Sequence, residues 1–163
     1  MRILASKAVM LGAVFALALT AGCASGPPAD VNIRGSITTV DDVNPDATGR
    51  PSPLMIRIYQ LSATDKFDSA EFFDLTDNAE ATLGPDLLGV EQLMLSPGES
   101  QPYDAEYDPN TSYIGVIAGY RDIHQATWRA TVEMPGRSIT NLMRRGAIVI
   151  RADRLAISVT VDN

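Results

Sequence analysis

Val31-Asn32-Ile33-Arg34-Gly35-Ser36-Ile37-Thr38-Thr39-Val40 alternates apolar and polar residues. Val31, Ile33, Gly35 and Ile37 fall on one side, and Asn32, Arg34, Ser36 and Thr38 on the other. Successive strand side chains point to opposite faces, so this stretch predicts a strand with one face buried and one wet. Leu54–Leu61 (Leu-Met-Ile-Arg-Ile-Tyr-Gln-Leu) repeats the pattern, with Leu54, Ile56 and Ile58 on the apolar side. Tyr113–Tyr120 is almost wholly apolar and predicts a central strand, its two glycines permitting close approach by a neighbour. Further strands are predicted at Val90–Leu95, at Tyr103–Tyr107 as an edge, at Thr127–Met134, and at Ala147–Ala152 and Leu155–Val161 flanking Asp153-Arg154. Seven or so short strands separated by turn residues predict a mainly β sandwich.

One segment breaks the pattern. In Thr64–Leu88, Asp68 before Glu71 and Asp77 before Glu80 predict two short helices with acids in their first turns. Phe67, Phe72, Phe73 and Leu75 are the expected buried side, and Gly84-Pro85 the stop.

The amino-terminal stretch has another role. Lys7 precedes an apolar run that ends in Leu-Thr-Ala-Gly-Cys (19–23). A basic start, a short apolar core and a small-residue exit make a secretory signal, and the run is too short to span a bilayer as a helix. The pattern resembles a lipobox, which predicts cleavage before Cys23 and acylation of its thiol and new amino terminus. Ala24 after the cysteine predicts the outer membrane as destination. Residues 1–22 are therefore the expected signal, 23–30 a flexible tether carrying Pro27-Pro28, and 31–163 the sandwich domain.

Cleavage would leave 141 of 163 residues, enough for one core-bearing domain, and no disulfide, because Cys23 is the sole cysteine. Loss of Arg2 and Lys7 takes the charge from −7 to −9, which argues against nucleic acid and anionic lipid as direct partners. His124, with Asp122 nearby, invites a hydrolytic triad, but no Gly-x-Ser-x-Gly elbow accompanies it and a surface histidine is the reading adopted. Asp42, Asn44 and Asp46 have the opening spacing of a calcium loop. Ala47 then stands where glycine is needed and Pro53 where glutamate is needed, so no metal is assigned. Tyr59, Tyr113, Tyr120 and Trp128 are read as packing residues, not stacking platforms. No cofactor, small-molecule substrate or catalytic residue is predicted.

Asp41 to Pro53 is long for a strand connection and rich in Asp, Asn, Gly and Pro. Its segment Val43-Asn44-Pro45-Asp46-Ala47-Thr48-Gly49-Arg50-Pro51-Ser52-Pro53 leads straight into a strand ending Tyr-Gln-Leu. That arrangement resembles the TssJ family, the outer-membrane lipoproteins of type VI secretion systems. Lys66-Phe67, Phe72-Phe73-Asp74-Leu75, Leu95-Ser96-Pro97-Gly98-Glu99 and Tyr113–Arg121 fit the family in order, over essentially all of the mature chain. The resemblance implies a transthyretin-like β-sandwich with a small two-helix insertion. It also implies binding to the periplasmic part of the inner-membrane subunit TssM through the first inter-strand loop. The expected contact residues here are Asp42, Val43, Asn44, Pro45, Asp46, Ala47, Thr48, Gly49, Arg50 and Pro51. The prolines restrict the loop and bias their preceding residues toward extended backbone, so less entropy is lost on docking. Deleting 43–50 is expected to abolish binding with little change in melting. The rival reading is a periplasmic carrier or chaperone lipoprotein that binds a ligand or peptide in the sandwich.

Overall fold

Alternation in the first strand is what lets one sheet close face to face on another. The computed structural model describes residues 31–135 and 147–162; the signal 1–22, Cys23, the tether 23–30 and residue 163 lie outside them. β1 (Val31–Thr39), β4 (Ser100–Tyr107), β7 (Ala147–Ala152) and β8 (Ile157–Asp162) form one sheet in the order β4-β1-β7-β8. β2 (Leu54–Leu61), β3 (Leu87–Leu95), β5 (Tyr113–Ala118) and β6 (Arg129–Glu133) form the second in the order β3-β2-β5-β6. β1 runs parallel to β7; the other pairs are antiparallel.

Period-two residues supply the core between the sheets. Ile37, Ile148 and Ile150 from one sheet meet Leu54, Ile56, Ile114 and Val116 from the other, all at zero exposure. Each such side chain contributes about 1.5–3 kcal/mol by leaving water. The two sheets accord with the transthyretin-like sandwich implied by the resemblance. β4 is an edge strand and β5 an internal one, as their sequences predict.

The insertion differs from expectation. It holds three short helices, α1 (Asp65–Ser69), α2 (Phe72–Asp77) and α3 (Ala79–Leu83), and then a 3-10 turn at Gly84–Asp86. Asp68 lies inside α1 and Asp77 closes α2, so neither begins a helix, and none of the three has a side-chain N-cap bond. Packing sets the breaks. Phe67, Leu75 and Leu83, one per helix, reach a second core on the outer face of β2 and β5 with Tyr59, Leu61 and Ile117. Helices of five or six residues do not persist alone, so this contact holds them. Phe67 fits because Gly115 lacks a side chain: a Cβ there would stand 2.6 Å from the ring.

Phe73 is not buried as expected; it is 66% exposed. Phe72 and Leu75, three apart, share the inward face of α2, which turns the intervening Phe73 outward. Phe72 packs edge-on against Trp128, centroids 5.3 Å apart. Basic groups satisfy carbonyls at all three helix ends. Arg129 Nη1 donates to Phe67 O (2.7 Å) and Ala70 O (2.9 Å). Arg57 Nη1 donates to Leu75 O and Thr76 O, and Lys66 Nζ to Leu83 O.

Strand directions sort the connections into two poles. β1 begins at Val31 at one pole, shared with the Asp108–Ser112 turn. The opposite pole holds 40–53, the 96–99 turn, 119–128 and the 153–156 hairpin. Nine residues of β1 put the poles about 26 Å apart.

Candidate partner-binding site

The 41–53 loop is anchored by side chains buried at its root. Val43 is wholly buried in the main core and Asn44 is 3% exposed. Asn44 has φ +50, a left-handed conformation that asparagine tolerates better than most residues. The proline rule would have made it extended, since Pro45 follows; local hydrogen bonding overrides that bias. Asn44 Nδ2 donates to Pro53 O at 2.8 Å, and Oδ1 accepts from the Arg121 backbone N–H at 2.8 Å. Its own N–H donates to Arg154 O at 3.0 Å. Arg121 Nε adds a bond to Ser52 Oγ at 3.1 Å, and Arg154 Nη1 meets Asp42 Oδ2 at 3.2 Å. One asparagine thus ties the loop's entry to its exit and to two neighbouring connections.

The tip is a second closed unit. Asp46 Oδ1 accepts from Thr48 Oγ1 (2.6 Å), Thr48 N–H (2.9 Å) and Arg50 N–H (3.0 Å). The Asp46 N–H donates to Arg50 O at 2.8 Å. Ala47, Thr48, Gly49, Arg50 and Pro51 are exposed. Gly49 has φ +85, with open space where a Cβ would stand, so the turn itself demands glycine there. The Thr48 hydroxyl, followed by the Arg50 and Thr48 amides, lowers the Asp46 carboxyl to about 2. A depressed folded pKa stabilises the turn above its ordinary value of 3.8, and this is lost as pH falls from there toward 2. An NMR titration of the Asp46 carboxyl carbon is expected to give a midpoint near 2, with the Thr48 and Arg50 amides moving together. A midpoint near 4 would show that the turn does not hold the carboxylate.

Of the ten residues predicted to meet a partner, Val43 and Asn44 face inward, Pro45 and Asp46 are half-buried, and Asp42 and 47–51 are exposed. Deleting 43–50 would therefore remove a core valine and the loop's pin, and the expectation of unchanged melting does not survive. The calcium spacing has other employment, since Asn44 and Asp46 spend side-chain oxygens on internal amides. His124 is exposed in the 121–125 turn, and among the described residues its ring makes no hydrogen bond. Sequence reading missed Arg121 and Ser52 as loop supports, and Met94 (62% exposed) beside Phe73 as outward apolar residues. Strand parity could have flagged Met94, which pairs with Met55 on the outer face.

No curated protein matched the chain by sequence. Among solved structures, the type VI secretion lipoprotein TssJ1 of Pseudomonas aeruginosa is similar at 32% identity, with TM-score 0.74, covering 83% of this chain and 98% of that one. Lip of Serratia marcescens, a membrane-bound component of the type VI secretion system, is similar at 26% identity, with TM-score 0.70, covering 82% and 98%. A chain of a type VI membrane complex shares the fold at 23% identity and TM-score 0.66, covering 79% and 97%. The family described as T6SS-SciN, type VI secretion lipoprotein, VasD, EvfM, TssJ, matches residues 31–162, and with that coverage the chain belongs to the TssJ family of type VI secretion lipoproteins.

Proposed function

We propose that this chain is a non-enzymatic anchor of the type VI secretion membrane complex. Acyl chains on Cys23 hold it in the outer membrane, facing the periplasm, and the 41–53 loop binds the periplasmic part of TssM. The carrying observation is polar placement: the pre-folded loop stands at the pole opposite the start of β1. Seven residues, 24–30, lie between Cys23 and Val31, and the eight steps they span reach at most about 29 Å. A lipid joined at that pole lets the loop face away from the membrane, toward a periplasmic partner. Because the tip is already hydrogen-bonded, docking costs it little further ordering. A chain in a structure described as the C-terminal domain of TssM shares this fold at TM-score 0.60, which agrees with a TssM connection.

Two variants test the reading. Cys23→Ser is expected to leave a folded protein that still binds TssM, yet leaves the membrane fraction and no longer supports secretion. Secretion sustained by the unlipidated protein would end the anchor assignment. Arg50→Glu with Pro51→Ala changes exposed tip side chains and breaks the surface pair of Arg50 Nε with Asp46 Oδ2 at 3.3 Å, an exposed ion pair of small worth, so it is expected to weaken TssM binding roughly tenfold or more with melting little moved. Wild-type affinity in that variant would refute the loop.

A further inference from the structure

The outer surface of the second sheet carries an apolar patch that adjoins the loop. Phe73 and Met94 are 66% and 62% exposed. The rings of Phe73 and Phe72 lie 5.4 Å apart. Phe72 and Met55 both reach the space beside Gly119, within 3.7 Å and 3.1 Å of where a Cβ would be. Met55 is the cross-strand partner of Met94, one residue from where the loop enters β2. These contacts link Phe73 through half-buried Phe72 and Met55 to Met94, from α2 toward the loop-bearing pole.

The patch lies against a dense field of one sign. Acids recur at every third residue, Asp65, Asp68, Glu71, Asp74, Asp77 and Glu80, and all six are exposed. With Asp86 and the single Lys66, residues 64–86 carry −6 of the chain's formal −7. The nearby cations are occupied internally: Arg57 and Arg129 donate to helix carbonyls, and Lys66 pairs with Asp86 at 2.8 Å. A second copy of this chain seated here would set two such fields face to face. An anionic membrane surface would be repelled. The complement is an apolar projection flanked by Lys or Arg.

We propose that the Phe73–Met94 patch is a second docking surface, which seats a basic-flanked apolar element of the same partner that grips the loop. This rests on the loop reading for the partner's identity, and it assigns to the helical insertion a role in recognition. Phe73 is the anchor residue, an aromatic side chain with little conformational entropy to lose. The acids around it speed encounter and select against acidic competitors.

The test uses the full-length lipoprotein in detergent and the periplasmic part of TssM. Phe73→Asp with Met94→Asp is expected to lower affinity roughly tenfold or more, with melting unchanged because both side chains are exposed. Glu71→Lys, Asp74→Lys and Asp77→Lys together are expected to weaken binding and to flatten its decline between about 50 and about 300 mM salt. If the Asp pair keeps full affinity while the Arg50→Glu, Pro51→Ala variant loses it, the patch is not an interface and the loop stands. Full affinity in both overturns both readings. A self-association, measured by sedimentation, that the Asp pair abolishes would assign the patch to a second copy and overturn the proposal as well.

Discussion

Gly35→Ala is expected to remove most of the protein's stability, and Gly35→Val to prevent folding. An ideal Cβ at residue 35 would lie 1.8 Å from the Ile148 carbonyl oxygen and 2.7 Å from its carbon. Neither atom is the free end of a flexible side chain; both are backbone of β7, so relief requires parting two strands. Gly35 sits opposite Ile148 on one side and Tyr103 on the other, in the middle of its sheet. Moving β1 away from β7 breaks the sheet's parallel pairing, and moving toward β4 crowds the other ladder. Ile37 and Ile148, both wholly buried, would be displaced with it. Overpacking at adaptable core sites costs about 1–3 kcal/mol, and a backbone collision exceeds that range. Domains of this size have about 5–15 kcal/mol in all. Urea unfolding of the Ala variant should show a midpoint collapsed toward zero denaturant. A midpoint near that of the wild type would mean that β1 and β7 do not approach as closely as described.

That glycine shows where sequence reading reaches and where it stops. Period two placed Ile33, Gly35 and Ile37 on one face of β1, and the strand lies where it was read. The reason glycine is required there is a contact with a residue 113 positions later, which no local pattern contains. The β7–β8 hairpin was legible because turn chemistry is local, and the 96–99 turn obeys the same chemistry, with Gly98 at φ +72. The insertion was misread for the opposite reason. Acids at every third position resemble helix starts wherever they occur, so the breaks could not be found from them. They fall where Phe67, Leu75 and Leu83 each descend to the sheet, a spacing of eight set by the tertiary surface. The loop was legible as a long, proline-bearing connection, whereas its internal division into buried root and exposed tip depends on Arg121 and Arg154, which arrive from elsewhere in the chain.

Asn44→Ala is the substitution expected to join a large stability loss to a loss of binding. Three effects act together. The Pro53 carbonyl and the Arg121 amide each lose a part-buried hydrogen bond, at about 0.5–1.5 kcal/mol apiece. Alanine must also hold φ near +50, which costs it about 1–2 kcal/mol more. Several kcal/mol in total is a visible fraction of the protein's stability. Whatever folded population remains carries a loop whose exit is no longer tied to its entry, so the Asp46 turn persists but its position relative to the sandwich does not. Affinity for TssM should then fall further than melting alone accounts for. Asn44→Gly separates the causes: it relieves the backbone penalty, keeps both hydrogen-bond losses, and is expected to melt between Asn44→Ala and the wild type. If Asn44→Ala melts with the wild type and binds as tightly, the loop is not held by its asparagine, and the account of a pre-formed docking element fails with it.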